Sequence, residues 1–248
     1  MARFTEKKIV ITGGSSGIGL AAARRIVDEG GAVLVTGTNP ERLAKAKLVC
    51  PALHTLVNDA ADVSAAPALA AEAEVVLGSV DGVFLNAGAG AGAPLGGITL
   101  DLYRNQIDLN LGGPLFALQA LLPLLNGGAS VVITSSAAKD HGVVGASLYA
   151  AAKGAVRAMV RSIALELAPR AIRANTVSPG PISTEFFNRL PMPQHLIEKI
   201  VCDLPASNPL RRMGSSDEAA AVALFLLSDD ASFVTGSDYP VDGGEVQV

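Results

Sequence analysis

The chain has 248 residues, of which 50% are apolar, 17% are charged and 4% are aromatic, with no Trp and a net charge of −4. Such apolar content excludes a disordered chain. The scarcity of aromatic faces excludes a carbohydrate-stacking or single-strand nucleic-acid surface.

Charge placement narrows the choice further. No Lys or Arg occurs from residue 48 to 103, a stretch with six acids, so no nucleic-acid partner is expected. Cys50 and Cys202 have neither metal-ligand spacing nor a disulfide framework, and no metal site is expected. Both thiols are expected to be buried small hydrophobes in a reducing, cytoplasmic setting. The N-terminus has no signal-peptide pattern. The longest uncharged run, 109–138, is broken by Asn110, Gly112, Gly113, Pro114, Gln119, Pro123 and Asn126, so no membrane association is expected.

In chain order, apolar β-branched runs predict strands at 8–12, 32–36, 53–57, 81–85, 130–135 and 172–178, with a short one at 238–241. Helical patterns fall between them at 17–29, 40–48, 65–76, 99–125, 147–168, 194–203 and 217–228. Gly30 reads as a helix stop. Asn39-Pro40-Glu41 reads as an N-cap, an N1 proline and a first-turn acid. Ser216-Asp217-Glu218 opens the last helix in the same manner. The Ala-rich stretch 60–73 reads as a surface helix.

These strands are continuously apolar, which marks burial on both faces, as in a parallel sheet. Strand–helix alternation predicts an α/β, doubly wound sheet with helices on both faces. One domain, 1–248, is expected. Segment 183–212 lacks strand character and carries Pro191, Pro193, Pro205 and Pro209; it is the expected substrate flap.

Between the first strand and first helix lies Thr12-Gly13-Gly14-Ser15-Ser16-Gly17-Ile18-Gly19. Glycines here let the backbone approach a pyrophosphate, and the helix N-terminus favours its charge. No Lys follows the last glycine, so this is not a P-loop. Asn86-Ala87-Gly88 follows the fourth strand. Asn110 sits in Asp108-Leu109-Asn110-Leu111. Ser136 precedes Tyr149 by thirteen residues, and Tyr149-Ala150-Ala151-Ala152-Lys153 has the form Tyr-x-x-x-Lys. Ser178-Pro179-Gly180-Pro181-Ile182-Ser183-Thr184 follows the sixth strand. In this order and spacing the motifs resemble the short-chain dehydrogenase/reductase family over essentially the whole chain. The resemblance implies a single-domain Rossmann-type fold and hydride transfer between a nicotinamide dinucleotide and a carbonyl or alcohol.

Tyr149 and Lys153 stand four apart on a predicted helix and share a face. At about 4 Å and an effective dielectric near 20, a charge pair is worth about 4 kcal/mol. The ammonium is thus expected to lower the phenol pKa by up to about three units, less the cost of desolvation. The resemblance implies that Tyr149 is the general acid/base, with Lys153 tuning it and holding the nicotinamide ribose. Ser136 then binds the substrate oxygen, and Asn110 holds a water that relays protons from Lys153. Ser135 is the weaker serine candidate, because neighbours on a strand face opposite ways. His141 lies between Ser136 and Tyr149 and is expected near the pocket mouth. A Ser-His-Asp hydrolase is disfavoured because Gly-x-Ser-x-Gly is missing. His54 and His195 read as surface or packing residues.

Cofactor contacts implied by the resemblance are Gly13, Ser15, Ser16, Gly17, Ile18, Gly19, Gly37, Thr38, Asn39, Asp59, Ala60, Asn86, Ala87, Gly88, Tyr149, Lys153, Pro179, Gly180, Ile182 and Thr184. Asp62 rivals Asp59. Users of NAD in this family commonly carry an Asp at the end of the second strand, where this chain has Gly37-Thr38-Asn39. NADP(H) is therefore the expected preference, with NAD(H) as the alternative. The usual NADP-binding Arg is absent from positions 16 and 38, and Arg42 is the nearest cation.

The expected substrate is a ketone, aldehyde or secondary alcohol, met by an apolar flap carrying Phe186, Phe187, Leu190, Pro191 and Met192. The alternatives are a 3-oxoacyl-carrier-protein reductase and, in a different class, a non-catalytic dinucleotide-binding sensor or scaffold. Self-association through helices 99–125 and 147–168 is also implied, as a homotetramer or alternatively a dimer. The tail 241–248 resembles family C-termini that enter a subunit contact.

Overall fold

The computed structural model describes residues 2–187 and 193–248. Strands β1 (Lys8–Thr12), β2 (Ala32–Gly37), β3 (His54–Val57), β4 (Val80–Leu85), β5 (Leu125–Thr134), β6 (Arg173–Pro179) and β7 (Asp238–Val241) form one sheet. Among the described residues the order is β3-β2-β1-β4-β5-β6-β7, all parallel. The strand order turns back between β1 and β4. In such sheets a crevice opens beyond the C-terminal strand ends at this reversal.

Alternate strand residues feed two cores, because successive side chains point to opposite faces. Val10, Leu34, Val83, Leu85, Val131 and Ile133 pack under α3 (Ala66–Leu77), α5 (Gly113–Leu121) and α6 (Ser147–Leu167). Ile9, Ile11, Val33, Val35, Phe84 and Val132 pack under α1 (Gly17–Asp28), α2 (Pro40–Val49) and α8 (Ser216–Leu227). Both faces are therefore covered, as the continuous apolar runs require.

The caps fall close to their expected places. Asn39 accepts from the Arg42 N–H at 3.0 Å. Gly30 follows α1 at φ +87° and donates to Val27. The cap of α8 is Ser215 rather than Ser216: its hydroxyl accepts from Glu218 N–H while the Glu218 carboxylate accepts from Ser215 N–H. That reciprocal pair needs the acid three residues after the cap, which fixes Ser215.

Three expectations need correction. The helix at 99–125 is not continuous. It divides into α4 (Leu100–Ile107), a π turn at Asp108–Gly112 and α5, then a 3-10 turn that leaves Leu125 to begin β5. Gly113 explains the offset: a Cβ there would lie 2.3 Å from the Ala60 carbonyl oxygen, so α5 starts against that loop. By length and hydropathy this run also resembles a membrane span, but Ala117, Leu118 and Leu121 are buried in the core. The Ala-rich stretch is helical only from residue 63, with Ala66, Leu69, Ala73 and Leu77 packed inward. Cys202 is exposed, unlike the buried Cys50, because α7 (Gln194–Ser207) turns Ile197 inward and Cys202 outward.

Candidate active site

A cavity of about 710 Å³ opens beyond the C-terminal ends of β1, β2, β4, β5 and β6. One end is shaped by backbone. Gly13 adopts φ +66°, and a Cβ on it would stand 2.9 Å from the Ala87 Cα. The first turn of α1 carries no acid, so its N–H groups face the cavity without a competing negative charge. Gly13, Ser15, Ser16, Gly17 and Ile18 line this end. Gly19 does not. It lies beneath the turn, where a Cβ would meet the Gly13 carbonyl oxygen at 2.4 Å. Its part is to let α1 pass under the loop.

At the β2 end, Gly37, Thr38, Asn39 and Arg42 line the wall, and Arg42 pairs with Glu185 at 3.0 Å. A Cβ on Gly37 would stand 2.9 Å from the Ser15 hydroxyl, so a side chain at position 37 would have to turn that hydroxyl aside. Asp59 and Ala60 also line the cavity. Asp62 instead caps the following turn, accepting from the N–H and hydroxyl of Ser64.

Asn86, Ala87 and Gly88 form the middle of the wall. The N–H groups of Asn86 and Ala87 both donate to the Thr12 hydroxyl at 3.1 Å. The Asn86 amide donates to the carbonyls of Thr12 and Gly13 and accepts from Thr134. Its side chain thus stitches together the ends of β1, β4 and β5.

The other end is built from side chains. Ser136 follows β5. Its hydroxyl accepts from the Ala138 N–H at 3.2 Å, and Tyr149 lines the same wall. Ser135 points away and donates to the Lys153 carbonyl at 2.9 Å. Lys153 is buried, and its ammonium donates to the Thr134 carbonyl at 2.9 Å while lying 5.7 Å from the Tyr149 ring centre. The end of β5 therefore grips α6 twice around Lys153.

Asn110 sits in the π turn behind the cavity wall, fully buried. Its amide donates to Ala89 and Gln106. Its Oδ1 is the one buried side-chain polar atom without a hydrogen bond among the described residues. A Cβ on Gly88 would stand 3.0 Å from this oxygen and 3.1 Å from the Lys153 Nζ. The two atoms flank the space that glycine leaves open.

Burial pushes the Tyr149 phenol pKa up, and the neighbouring Ser136 hydroxyl offsets only part of that rise. Burial also pulls the Lys153 ammonium down to about 8. The expected lowering of the Tyr149 pKa is therefore not found. The physical reason is that both groups lose water, and the ammonium is directed at the Thr134 carbonyl rather than at the phenol.

Pro179, Gly180, Ile182 and Thr184 follow β6 along the cavity. Phe186 lies 6.0 Å from the Tyr149 ring and 5.6 Å from Phe187, centre to centre. Leu190, Pro191 and Met192 lie outside the described residues. Sequence reasoning missed Val143, Val144, Ile200, Leu204 and Glu245 in the wall. Ile200 and Leu204 stand four apart on α7, a helical signal that was available; Glu245, in the tail, offered none. The loop at Ser136 is held by Lys139, which pairs with Asp140 and, at 2.9 Å, with Asp238 on β7.

The site fits a dinucleotide. A cradle that a Cβ would fill stands at one end, and an unpartnered acceptor beside a buried ammonium stands at the other. A family model described as enoyl-(acyl carrier protein) reductase matches residues 13–245. Oxidoreductase asL5 of Sarocladium schorii is 38% identical over 99% of this chain and 98% of its own. The 2-dehydro-3-deoxy-L-rhamnonate dehydrogenase (NAD(+)) of Sphingomonas sp. (strain SKA58) is 32% identical over 98% and 96%. The chain belongs to the short-chain dehydrogenase/reductase family. The crystal structure of levodione reductase superposes with a TM-score of 0.89 at 32% identity, covering 98% of this chain and 99% of that one. This member of the family is an NAD(P)-dependent oxidoreductase acting on CH–OH and C=O groups.

Proposed function

We propose that the protein reduces ketones or aldehydes, and in reverse oxidises secondary alcohols, with NADPH preferred over NADH and Tyr149 as the proton donor. The observation that carries this reading is the gathering of Ser136, Tyr149 and buried Lys153 on the wall of the cavity that holds the glycine cradle. The bound dinucleotide supplies the hydride for reduction and accepts it in oxidation.

Gly13, Ser15, Ser16, Gly17 and Ile18 would hold its pyrophosphate, Asp59 and Ala60 its adenine, and Pro179, Gly180, Ile182 and Thr184 its nicotinamide end. The Ser136 hydroxyl orients the substrate oxygen and steadies developing charge there. A phenol whose pKa is pushed up keeps its proton at neutral pH, the form that carbonyl reduction requires. Lys153 would hold the ribose hydroxyls, and its ammonium favours the phenolate left after proton transfer. Asn110 Oδ1 and the Lys153 ammonium hold a water between them over Gly88, through which Tyr149 is reprotonated.

The preference for NADPH rests on the β2 end. Gly37-Thr38-Asn39 brings no carboxylate, and Thr38, Asn39 and Arg42 offer donors to a 2′-phosphate. Thr38→Asp tests this. A carboxylate about 5 Å from the phosphate repels it by about 3 kcal/mol at an effective dielectric near 20, or roughly a hundredfold in binding before screening. The measurement is kcat/KM for NADPH and NADH with one ketone, in both proteins. Wild type should favour NADPH and the variant NADH; a wild type that favours NADH would overturn the cofactor assignment.

The same reading makes the chain one domain, with 183–212 as a substrate flap, in the reducing cytoplasm that suits free Cys50 and Cys202. Leu100, Tyr103, Leu115, Phe116 and Leu165 are exposed on α4, α5 and α6. They support a homotetramer built through these helices, with a dimer as the smaller alternative.

A further inference from the structure

The substrate end of the cavity is mostly small and apolar, from Ala89 and Ala91 to Val143, Phe186 and Leu204. Glu245 breaks that pattern. It comes from the C-terminal tail, which Asp242 folds into a tight turn by accepting from the Gly244 N–H at 3.0 Å and the Val246 N–H at 3.1 Å. Asn208 anchors the same turn by donating to the Asp242 carbonyl. Gly180 leaves the room: a Cβ there would stand 2.9 Å from Glu245 Oε2. The carboxylate thus reaches the cavity beside the end of β6 from a fixed backbone.

Opposite stands His141, one short turn beyond Ser136. Its Nδ1 lies 3.2 Å from the Ala137 carbonyl oxygen. A carbonyl only accepts, so Nδ1 carries the hydrogen and Nε2 is the ring atom left for the cavity. Nε2 lies 4.0 Å from Glu245 Oε1, too far for a hydrogen bond. Among the described residues the Glu245 carboxylate has no hydrogen bond. Burial raises its pKa, the sign of a carboxylate partly stripped of water.

We propose that Glu245, flanked by His141, is a specificity subsite that selects carbonyl substrates carrying one further hydroxyl group. A carboxylate accepts and never donates, so it rewards a donor and gives nothing to an ether or a methyl. A hydroxyl suits this corner, since it donates to Glu245 while the polar edge of the His141 ring borders it. The apolar wall elsewhere limits the preference to one such group rather than a polyol. This inference rests on the oxidoreductase reading of the same cavity.

The test compares cyclohexanone, 3- and 4-hydroxycyclohexanone and their methyl ethers, with 3-hydroxy-2-butanone and its methyl ether as an open-chain pair. Each is assayed with NADPH and with NADH on wild type, Glu245→Leu, Glu245→Gln and His141→Phe. A hydrogen bond to a charged group is worth ~1.5–3 kcal/mol, so at least one hydroxyl compound should exceed its ether about tenfold or more in kcat/KM. Glu245→Leu should bring that ratio to about one. Glu245→Gln, which keeps an acceptor and the shape, should leave an intermediate ratio. His141→Phe should reduce it. Ratios near one throughout in wild type, or a ratio that Glu245→Leu leaves unchanged, would overturn the subsite while cyclohexanone turnover kept the oxidoreductase reading intact. If neither cofactor supported turnover of any ketone, that reading would fall, and the subsite with it.

Discussion

The two ends of the cavity are made of different material. At the β1–β2 end the surface is largely backbone: glycines at 13, 17 and 37 and N–H groups at the start of α1, with Arg42 and Asp59 at its edge. At the β5–β6 end it is side chains fixed by single partners: Lys153 on the Thr134 carbonyl and Lys139 on Asp238, with Ser136 and Tyr149 beside them. Phosphate recognition tolerates the first design because several weak N–H donors share one charge. Proton transfer requires the second because a single atom must stand at the reacting oxygen. Damage should therefore be all-or-none at the side-chain end and graded at the backbone end.

The sharpest contrast comes from Tyr149→Phe. It deletes one hydroxyl and should lower kcat by about 10²–10⁴, while NADPH titration by fluorescence shows affinity nearly unchanged. Retention of more than about a tenth of turnover would place the proton donor elsewhere. Gly19→Ala probes the backbone end. Its Cβ would meet a carbonyl oxygen at 2.4 Å, and backbone cannot swing aside as a side chain can. Overpacking of this kind costs ~1–3 kcal/mol. NADPH affinity should fall by about ten- to a hundredfold, with kcat at saturating cofactor largely kept.

Lys153→Met separates function from stability. The pKa of Lys153 is lowered from 10.5 to about 8. At roughly 1.4 kcal/mol per unit, burying the charge costs on the order of 3 kcal/mol. Leaving the Thr134 carbonyl unpartnered returns about 1 kcal/mol of that. The variant should be inactive yet about 2 kcal/mol more stable to urea at pH 7. Below pH 8 both folded and unfolded wild type hold the proton, so the penalty is complete. Between pH 8 and 10.5 only the unfolded chain holds it, so wild-type stability rises and the gap to the variant closes. A gap that stayed constant across that window would mean that the ammonium carries no burial cost.

The smallest effect belongs to Glu185→Ala. Its ion pair with Arg42 is exposed and worth ~0.2–1 kcal/mol. Freeing Arg42 should raise the NADPH-to-NADH ratio of kcat/KM by about two- to fivefold.

The same division decides what could be read from sequence. Strands and helices were legible because parallel strands buried on both faces are continuously apolar, and because Asn39 and Gly30 punctuate helix ends. Tyr-x-x-x-Lys on one helix carries its own geometry. Properties that arise between distant segments were not legible. Gly19 and Gly13 both look like phosphate glycines, and only the packing of α1 under the loop separates them. The break at Asn110 follows from Gly113 meeting Ala60, about fifty residues away. Local sequence gives the Tyr149–Lys153 spacing but not the water each group loses on burial. Glu245 reaches the cavity only because Gly180, on another strand end, makes way.

The π turn at Asp108–Gly112 has a consequence for how this chain can change length. A wide turn holds one residue more than regular α-helical winding requires. Each residue in a helix advances its face by about 100°. Deleting one residue within 108–112 would let α4 run into α5 as regular helix, an outcome that local propensity favours. Asn110 and the residues after it could not then both keep their bearings. Either the amide would swing off Gln106 and Ala89, or the buried stripe of Ala117, Leu118 and Leu121 would rotate off the sheet. A one-residue loss here is thus forbidden to a folded, working protein.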